Sequence, residues 1–339
     1  MAALFFSLNA RIDNKDNYNE LFFVFFEREI FMLDVLIKAL SFVAIICIGY
    51  IFKRIGIFND EDYRIVSKIV INLTLPAAVI NSFADFKMDY SLLEVLVIGF
   101  LGNVVMVIIA LMLTRRETAA AKLFYIFSMS GYNIGCFTLP FVQSFLGAFG
   151  VIVICIFDMG NAIMCTGLTY AFAASCIGSA DGTKEPVSVR NVMNKLLTSV
   201  PFMVYFVMLA LVELNIKLPD AFYTLSHSVG SANAFLSMLM IGMMFEIKMD
   251  KHSLFYIGEI LGGRCIVGIS LSMLFFFFGP FSPEINKVVA AALLAPSTAV
   301  GPIYLEKLGG NVQLAGFSNS ASIIISVIAL TVFFTITHV

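Results

Sequence analysis

The chain has 339 residues, 60% of them hydrophobic and 13% charged, with a net charge of -2 and a mean hydropathy of +0.95. A soluble domain carries about 25% charged and about 45–50% apolar residues, so the composition argues against one, and no basic surface points to nucleic acid. No Walker loop, nucleophile elbow, H-E-x-x-H helix or dinucleotide fingerprint occurs, which argues against ATP-driven transport by this chain alone and supports no enzyme reading.

In chain order, residues 1–31 mix a polar stretch from Arg11 to Asp16 with a short apolar piece at 21–26. They lack the basic leader and small-residue cleavage site of a signal peptide. Met32 stands just before the first well-formed span and reads as the natural start, with 1–31 an extension; the alternative is an interfacial lead-in. Apolar windows long enough to cross a bilayer then follow at about 33–52, 63–83, 92–113, 118–147 and 149–177. A polar linker, 178–194, separates these from 195–215, 221–245, 254–278, 286–307 and 312–336. The expected fold is an all-α membrane protein of ten transmembrane helices. Residues 32–177 and 195–339 form its two five-helix repeats. An odd number of spans per half forces the second half to enter from the opposite side, giving a five-plus-five inverted repeat.

Lys53, Arg54, Arg64, Lys68, Arg115, Arg116, Lys122, Lys184, Arg190, Lys195, Lys248, Lys251 and Lys307 cluster around loops that follow odd-numbered spans. Only Lys87, Lys217 and Lys287 follow even-numbered ones. By the positive-inside rule the odd loops, the linker among them, are cytoplasmic and both termini lie outside, in a multi-pass protein of the cytoplasmic membrane. Arg11, Lys15 and Arg28 pull mildly the other way. The six cysteines all fall in apolar runs without a C-x-x-C pair, the pattern of buried small side chains rather than a disulfide or zinc framework.

Two spans carry breakers near their middles, Gly131-Tyr-Asn133-Ile-Gly135-Cys-Phe-Thr138-Leu-Pro140 and Ala295-Pro296-Ser297-Thr298-Ala-Val-Gly301-Pro302. Proline removes a helical hydrogen bond and glycine lets the chain swing away. In a bilayer such a break survives only where it is buried in protein or lines a watery cavity, and two at matching positions point to a transporter's binding site. Asn133 is the leading ligand: its carboxamide can donate to an anion at a half-helix start whose N–H groups carry positive partial charge. The plainer alternative is an Asn that satisfies loosened backbone groups. Thr138, Ser297 and Thr298 are similar candidates, although hydroxyls often bond back within helices.

Ionisable groups inside spans are expensive and default to function. Asp158, in Phe157-Asp158-Met-Gly-Asn161, can take a proton or a cation, or partner a helix end or Arg264. Arg264 can pair with an acid or draw an anion inward. Glu246 and Glu259 read as interfacial, and the histidines make no metal cluster. On span two, Asn72, Thr74, Pro76 and Asn81 accompany another helix breaker, and Gly230-Ser-Ala-Asn233-Ala is the small, polar counterpart in the second half; both are either helix contacts or a cavity wall.

Residues 32–337 resemble the auxin efflux carrier family, bacterial type, distantly related to sodium–bile acid symporters. The likeness rests on Met32-Leu-Asp-Val-Leu, Gly49-Tyr50, Gly56-Ile-Phe, Asn72-Leu-Thr-Leu-Pro76-Ala77, Asn133-Ile-Gly135-Cys-Phe-Thr138-Leu139-Pro140, Phe157-Asp158-x-x-Asn161, Ala295-Pro296-Ser297 and Glu306-Lys307-Leu-Gly309-Gly310. It implies that helices four and nine cross at their breaks beside a cavity for an organic anion. Asn133 then matches the carboxylate-binding Asn, with Gly135, Thr138, Pro140, Pro296, Ser297 and Thr298 around it and Asn194 a further matching Asn; Asp158, Asn161 and Arg264 become coupling or ion candidates. The chain departs from the family at Thr138, a usual Gly, at Lys195, a common Pro, and at Ala299-Val300-Gly301, where many members carry Asn. The expected function is a secondary carrier for a small organic anion such as a dicarboxylate or aromatic carboxylate, working by alternating access. Sodium-coupled symport is the alternative within transport, and a channel or non-transporting sensor the alternative outside it. The expected partners are that anion and the lipid bilayer, with a homodimer left open, coupling to Na⁺ or H⁺, and no other cofactor.

Overall fold

The computed structural model of the chain describes residues 15–184, 189–245 and 254–337, with side chains from Leu33 onward except Val189. Glu246, Lys248, Lys251, His252 and His338 lie outside the described residues, as does most of the extension's polar stretch. The described fold is all-α. Helix α1 (Lys15–Arg54) runs through Met32 without interruption, so residues 15–31 and the first candidate span share one helix. Next come α2 (Tyr63–Ser82) and α3 (Leu92–Leu113), then α4 (Ala119–Met129), started by the Thr118 side chain accepting from the Ala121 N–H. A π turn, Ile134–Thr138, leads into α5 (Leu139–Ile163), which continues as helical turns to Ile177. The second half holds α6 (Val189–Leu197), α7 (Val200–Glu213), α8 (Asp220–Gly230), α9 (Asn233–Met244), α10 (Leu254–Phe278), α11 (Pro283–Leu293), α12 (Gly301–Lys307) and α13 (Val312–Thr337).

Six helical runs among the described residues are long and apolar enough to cross a membrane. They are Leu33–Arg54, Tyr63–Ser82, Leu92–Leu113, Ala119–Ile177, Leu254–Phe278 and Val312–Thr337, with a seventh if α6 and α7, bent by 74°, count as one. These runs coincide with expected spans one, two, three, eight and ten. Expected spans four and five both lie in the 59-residue run Ala119–Ile177. Inside it Gly147 has φ 63° and ψ -157°, where a side chain is disfavoured. Tyr132 and Asn161, 29 residues apart and straddling Gly147, are hydrogen-bonded to each other, so the chain doubles back there. Expected spans seven and nine are each two shorter helices, α8 with α9 and α11 with α12. The interruption at 231–232 was not anticipated, because Gly230 alone is a weak breaker.

Both Thr-Leu-Pro sequences share one local solution. The π turns Val70–Thr74 and Ile134–Thr138 end at Thr74 and Thr138, and Pro76 and Pro140 are then the second residues of the helices that follow. A π turn closes a wider ring and absorbs the bond a proline cannot make. Pro140 therefore belongs to a resumed helix, and the break in span four lies upstream, at 130–133. Core helices α3 and α5 meet backbone to backbone, as do α1 and α9. Phe277 and Phe278, 68% and 80% exposed, cover the outside of α10, as expected of a bundle solvated by lipid.

Candidate functional site

Helix α4 stops because Ser130 turns extended (ψ 160°) and Gly131 adopts φ +81°. Asn133 (φ -80°, ψ 74°) then opens the π turn. In the other half, 294–300 are non-helical between α11 and α12. The two breaks touch: the Asn133 N–H donates to the Pro296 carbonyl at 3.0 Å. The approach is tight at Gly131, where an added Cβ would stand 2.5 Å from Thr298 Cγ2 and 2.9 Å from Cys165 Sγ.

Each break is tied down by its neighbours, which satisfies backbone groups that lipid cannot. The Gly131 N–H donates to Asn103 Oδ1 (2.7 Å) and the Tyr132 N–H to Asn161 Oδ1 (3.0 Å). Asn161 Nδ2 returns a bond to the Tyr132 carbonyl (2.9 Å), and Asn103 Nδ2 donates to Asn161 Oδ1 (3.0 Å). In the second break the Ser297 N–H donates to Ser322 Oγ (3.1 Å) and the Ser297 hydroxyl to Asn319 Oδ1 (3.1 Å), both on α13.

Arg264 does not pair with Asp158. Its guanidinium donates to the carbonyls of Met129, Gly131 (2.9 Å) and Ala295 (2.9 Å) and lies over the Tyr132 ring. These carbonyls stand at or just past the C-terminal ends of α4 and α11, where helices carry negative partial charge, so one buried cation neutralises two helix ends. Asp158 instead accepts from Asn161 Nδ2 (2.8 Å) and the Tyr205 hydroxyl (3.2 Å). Its Oδ2 is 4.0 Å from the Cβ position of Gly135, on the first turn after the break. Glu259 also has a partner, accepting from the Tyr125 hydroxyl at 2.6 Å.

Thr138 is buried and gives both its N–H (3.2 Å) and its hydroxyl (3.1 Å) to the Asn133 carbonyl. The Asn133 carboxamide does not cap its own helix, and the residue is buried, with 7% exposure. The crossing thus gathers Asn133, Gly135, Thr138, Asp158, Asn161, Arg264, Pro296, Ser297 and Thr298. Pro140 lies buried just downstream in α5, whereas Asn194 is exposed on α6, its carbonyl taken by Thr198. Sequence reasoning missed Asn103, Tyr205, Asn319 and Ser322. A lone Asn in the apolar α3 and the Ser-Asn-Ser-x-Ser run of α13 were the signals that stood for three of them.

A cavity of about 40 Å³ adjoins Arg264, Ala295, Ser322 and Ser326. It has room for a few waters, at roughly 10–15 Å³ of such volume per water, and none for an organic acid. The closeness at Gly131 gives a direct test. Gly131→Ala is expected to destabilise the protein by about 1–3 kcal/mol through the positive φ and the clash with Thr298. Adding Thr298→Ser, which removes the clashing methyl, should recover part of the loss in a thermal-unfolding series; no recovery would mean the two breaks do not press together at that point.

No protein-family model matches the chain. Over 149 residues, 43% of this chain, it is 24% identical to an "Uncharacterized transporter" of Methanothermobacter thermautotrophicus, and the match spans 49% of that protein, about half its length. The chain is therefore a multi-helix membrane protein with distant homology to a transporter.

Proposed function

We propose that the protein is a secondary carrier for a small organic anion, with the substrate bound where two broken helices cross. The observation that carries this reading is the Asn133 carboxamide, uncapped and beside a half-helix start, while the Asn133 backbone N–H is bonded to the opposite break. That geometry leaves a side-chain donor and first-turn N–H groups for a carboxylate. Distant homology to a transporter supports carriage over a sensing role.

A ten-span inverted repeat is supported by the parallel bracing of the breaks. Asn161, after the Gly147 turn, braces the first, and Ser322 and Asn319, on the helix after α12, brace the second. A third helix reaches each break as well, α3 through Asn103 and α10 through Arg264. In this reading the lysine- and arginine-rich loops are cytoplasmic, both termini are outside, and Asp158 is the seat of coupling to Na⁺ or H⁺. Counterflow in proteoliposomes tests it: labelled succinate or benzoate should enter against its gradient, saturably, when unlabelled anion is trapped inside. Flux without saturation or counterflow would mean a channel, and no flux with any organic acid would end the carrier reading.

A further inference from the structure

Two lysines from distant parts of the chain meet over one buried ring. Lys195 is on α6, and Lys307 is the last residue of α12. The Lys195 ammonium lies 4.9 Å from the Tyr304 ring centroid and 5.0 Å from that of Tyr170; the Lys307 ammonium lies 5.7 Å from Tyr304. The two rings are 5.1 Å apart, and the Tyr304 hydroxyl is fixed on the Thr166 carbonyl at 2.8 Å. Neither ammonium makes an ion pair or a hydrogen bond among the described residues. Other cations do: Lys38, Lys53 and Arg64 meet carboxylates, and Lys287 donates to the Thr337 carbonyl. Glu306, beside Lys307 and exposed, pairs with neither lysine.

A helix C-terminus and an aromatic face each favour a lysine, which accounts for either residue alone. Neither accounts for two like charges on one ring, which repel each other and lack an acceptor. The setting of α6 indicates which anion fits. Val192 and Leu196 are buried, and an added Cβ at Gly167 would stand 2.2 Å from Val192 Cγ1, so one side of α6 lies on the helical turns after α5. Met193 and Leu197, 48% and 55% exposed, form an apolar strip next to that side. Helix α6 is bent by 74° from α7. With α7 crossing the bilayer, α6 lies near the membrane plane and its free apolar strip meets acyl chains. Lys195, two residues from Met193 and from Leu197, projects away from the strip, at the level of the headgroups. The linker is pinned at the same place, the Ala180 N–H donating to the Leu308 carbonyl at 2.7 Å.

We propose that Lys195 and Lys307, seated on Tyr304, bind the phosphate of an acidic phospholipid headgroup and so clamp α6 to the end of α12. A phosphate has oxygens enough to accept from both ammoniums at once, and it removes their mutual repulsion. The site is separate from the helix crossing and stands whether or not the protein is a carrier. Its effect nevertheless reaches the crossing. Helix α12 starts at Gly301, directly after the second break, so the bound lipid holds the far end of that half-helix against the linker.

The test follows thermal unfolding of the full chain in a neutral detergent while phosphatidylglycerol, phosphatidylcholine or inorganic phosphate is added. Phosphatidylglycerol should raise the midpoint saturably, and the other two should not. Lys195→Gln and Lys307→Gln should each raise the phosphatidylglycerol concentration needed for half the effect about tenfold, the loss of one charge-assisted bond. Lys195→Arg, which keeps the charge, should keep the response, and so should Arg115→Ala, an exposed cation elsewhere in the chain. Lys307 is exposed and its ammonium bonds nothing, so Lys307→Gln decides the matter if Lys195→Gln misfolds. An unchanged response in Lys307→Gln would overturn the site. An equal loss in Arg115→Ala would overturn it too, since that is diffuse attraction of basic loops to acidic lipid. A shift with inorganic phosphate as large as with lipid, abolished by the same variants, would overturn the lipid assignment in favour of a soluble phosphate.

Discussion

Asn133→Ala is expected to fold normally and to bind carboxylates about 1–3 kcal/mol more weakly than the unaltered protein. The first half follows from the backbone geometry. Asn133 links the two breaks through its N–H, and Thr138 caps its carbonyl, and neither bond involves the side chain being removed. The second half follows from the uncapped carboxamide. A residue that only repaired the helix break would have its side chain on a backbone group, and its loss would show in monodispersity before affinity. Asn133→Asp should be worse than Ala, since it sets a carboxylate against a carboxylate. Asn133→Ser should keep part of the affinity through its hydroxyl. Affinity and monodispersity measured on the same preparations separate the possibilities; wild-type affinity in well-folded Asn133→Ala would remove this residue from the site.

Arg264→Leu should have the largest effect on stability. It orphans the carbonyls of Met129, Gly131 and Ala295, each worth roughly 1–3 kcal/mol when left dry. The gain from no longer burying a charge offsets part of this, leaving a net loss on the order of 3 kcal/mol, a large share of a typical folding free energy. Arg264→Lys should fall between, because an ammonium is a point charge that cannot fork across carbonyls from two helices. Thermal unfolding of purified variants should rank unaltered protein, Lys and Leu in that order. A Leu variant melting with the unaltered protein would show that the guanidinium does not hold the crossing.

The parts of the fold legible in the sequence were those written in side-chain type. Apolar runs gave α2, α3, α10 and the last helix nearly to the residue, and the change of run at 147–149 fell on the Gly147 turn. The clusters at Gly131–Asn133 and Pro296–Thr298 marked the breaks. Pro140 misled, because proline at the second position of a helix is unstrained and the widened turn before it took up the missing bond. Arg264 was legible as unusual but not in its role: its partners are carbonyls, which every residue carries, so nothing in the sequence singles out Met129, Gly131 and Ala295. Tyr205 was obscured for a related reason. Its place comes from what α7 packs against, and that is decided only when the two halves meet.

The same dependence between halves has a consequence in time. Chains are made from the N-terminus, so the first half of the chain reaches the membrane before Arg264 and Pro296 exist. At that stage Asn103 and Asn161 already hold the Gly131 and Tyr132 amides. The Met129 and Gly131 carbonyls and the Asn133 N–H, however, still await groups more than a hundred residues downstream. The nascent first half is therefore an unfinished object that carries exposed backbone polarity in lipid. Arrival of the second half completes it, and until the ribosome has delivered residue 296 the first break is braced from one side only.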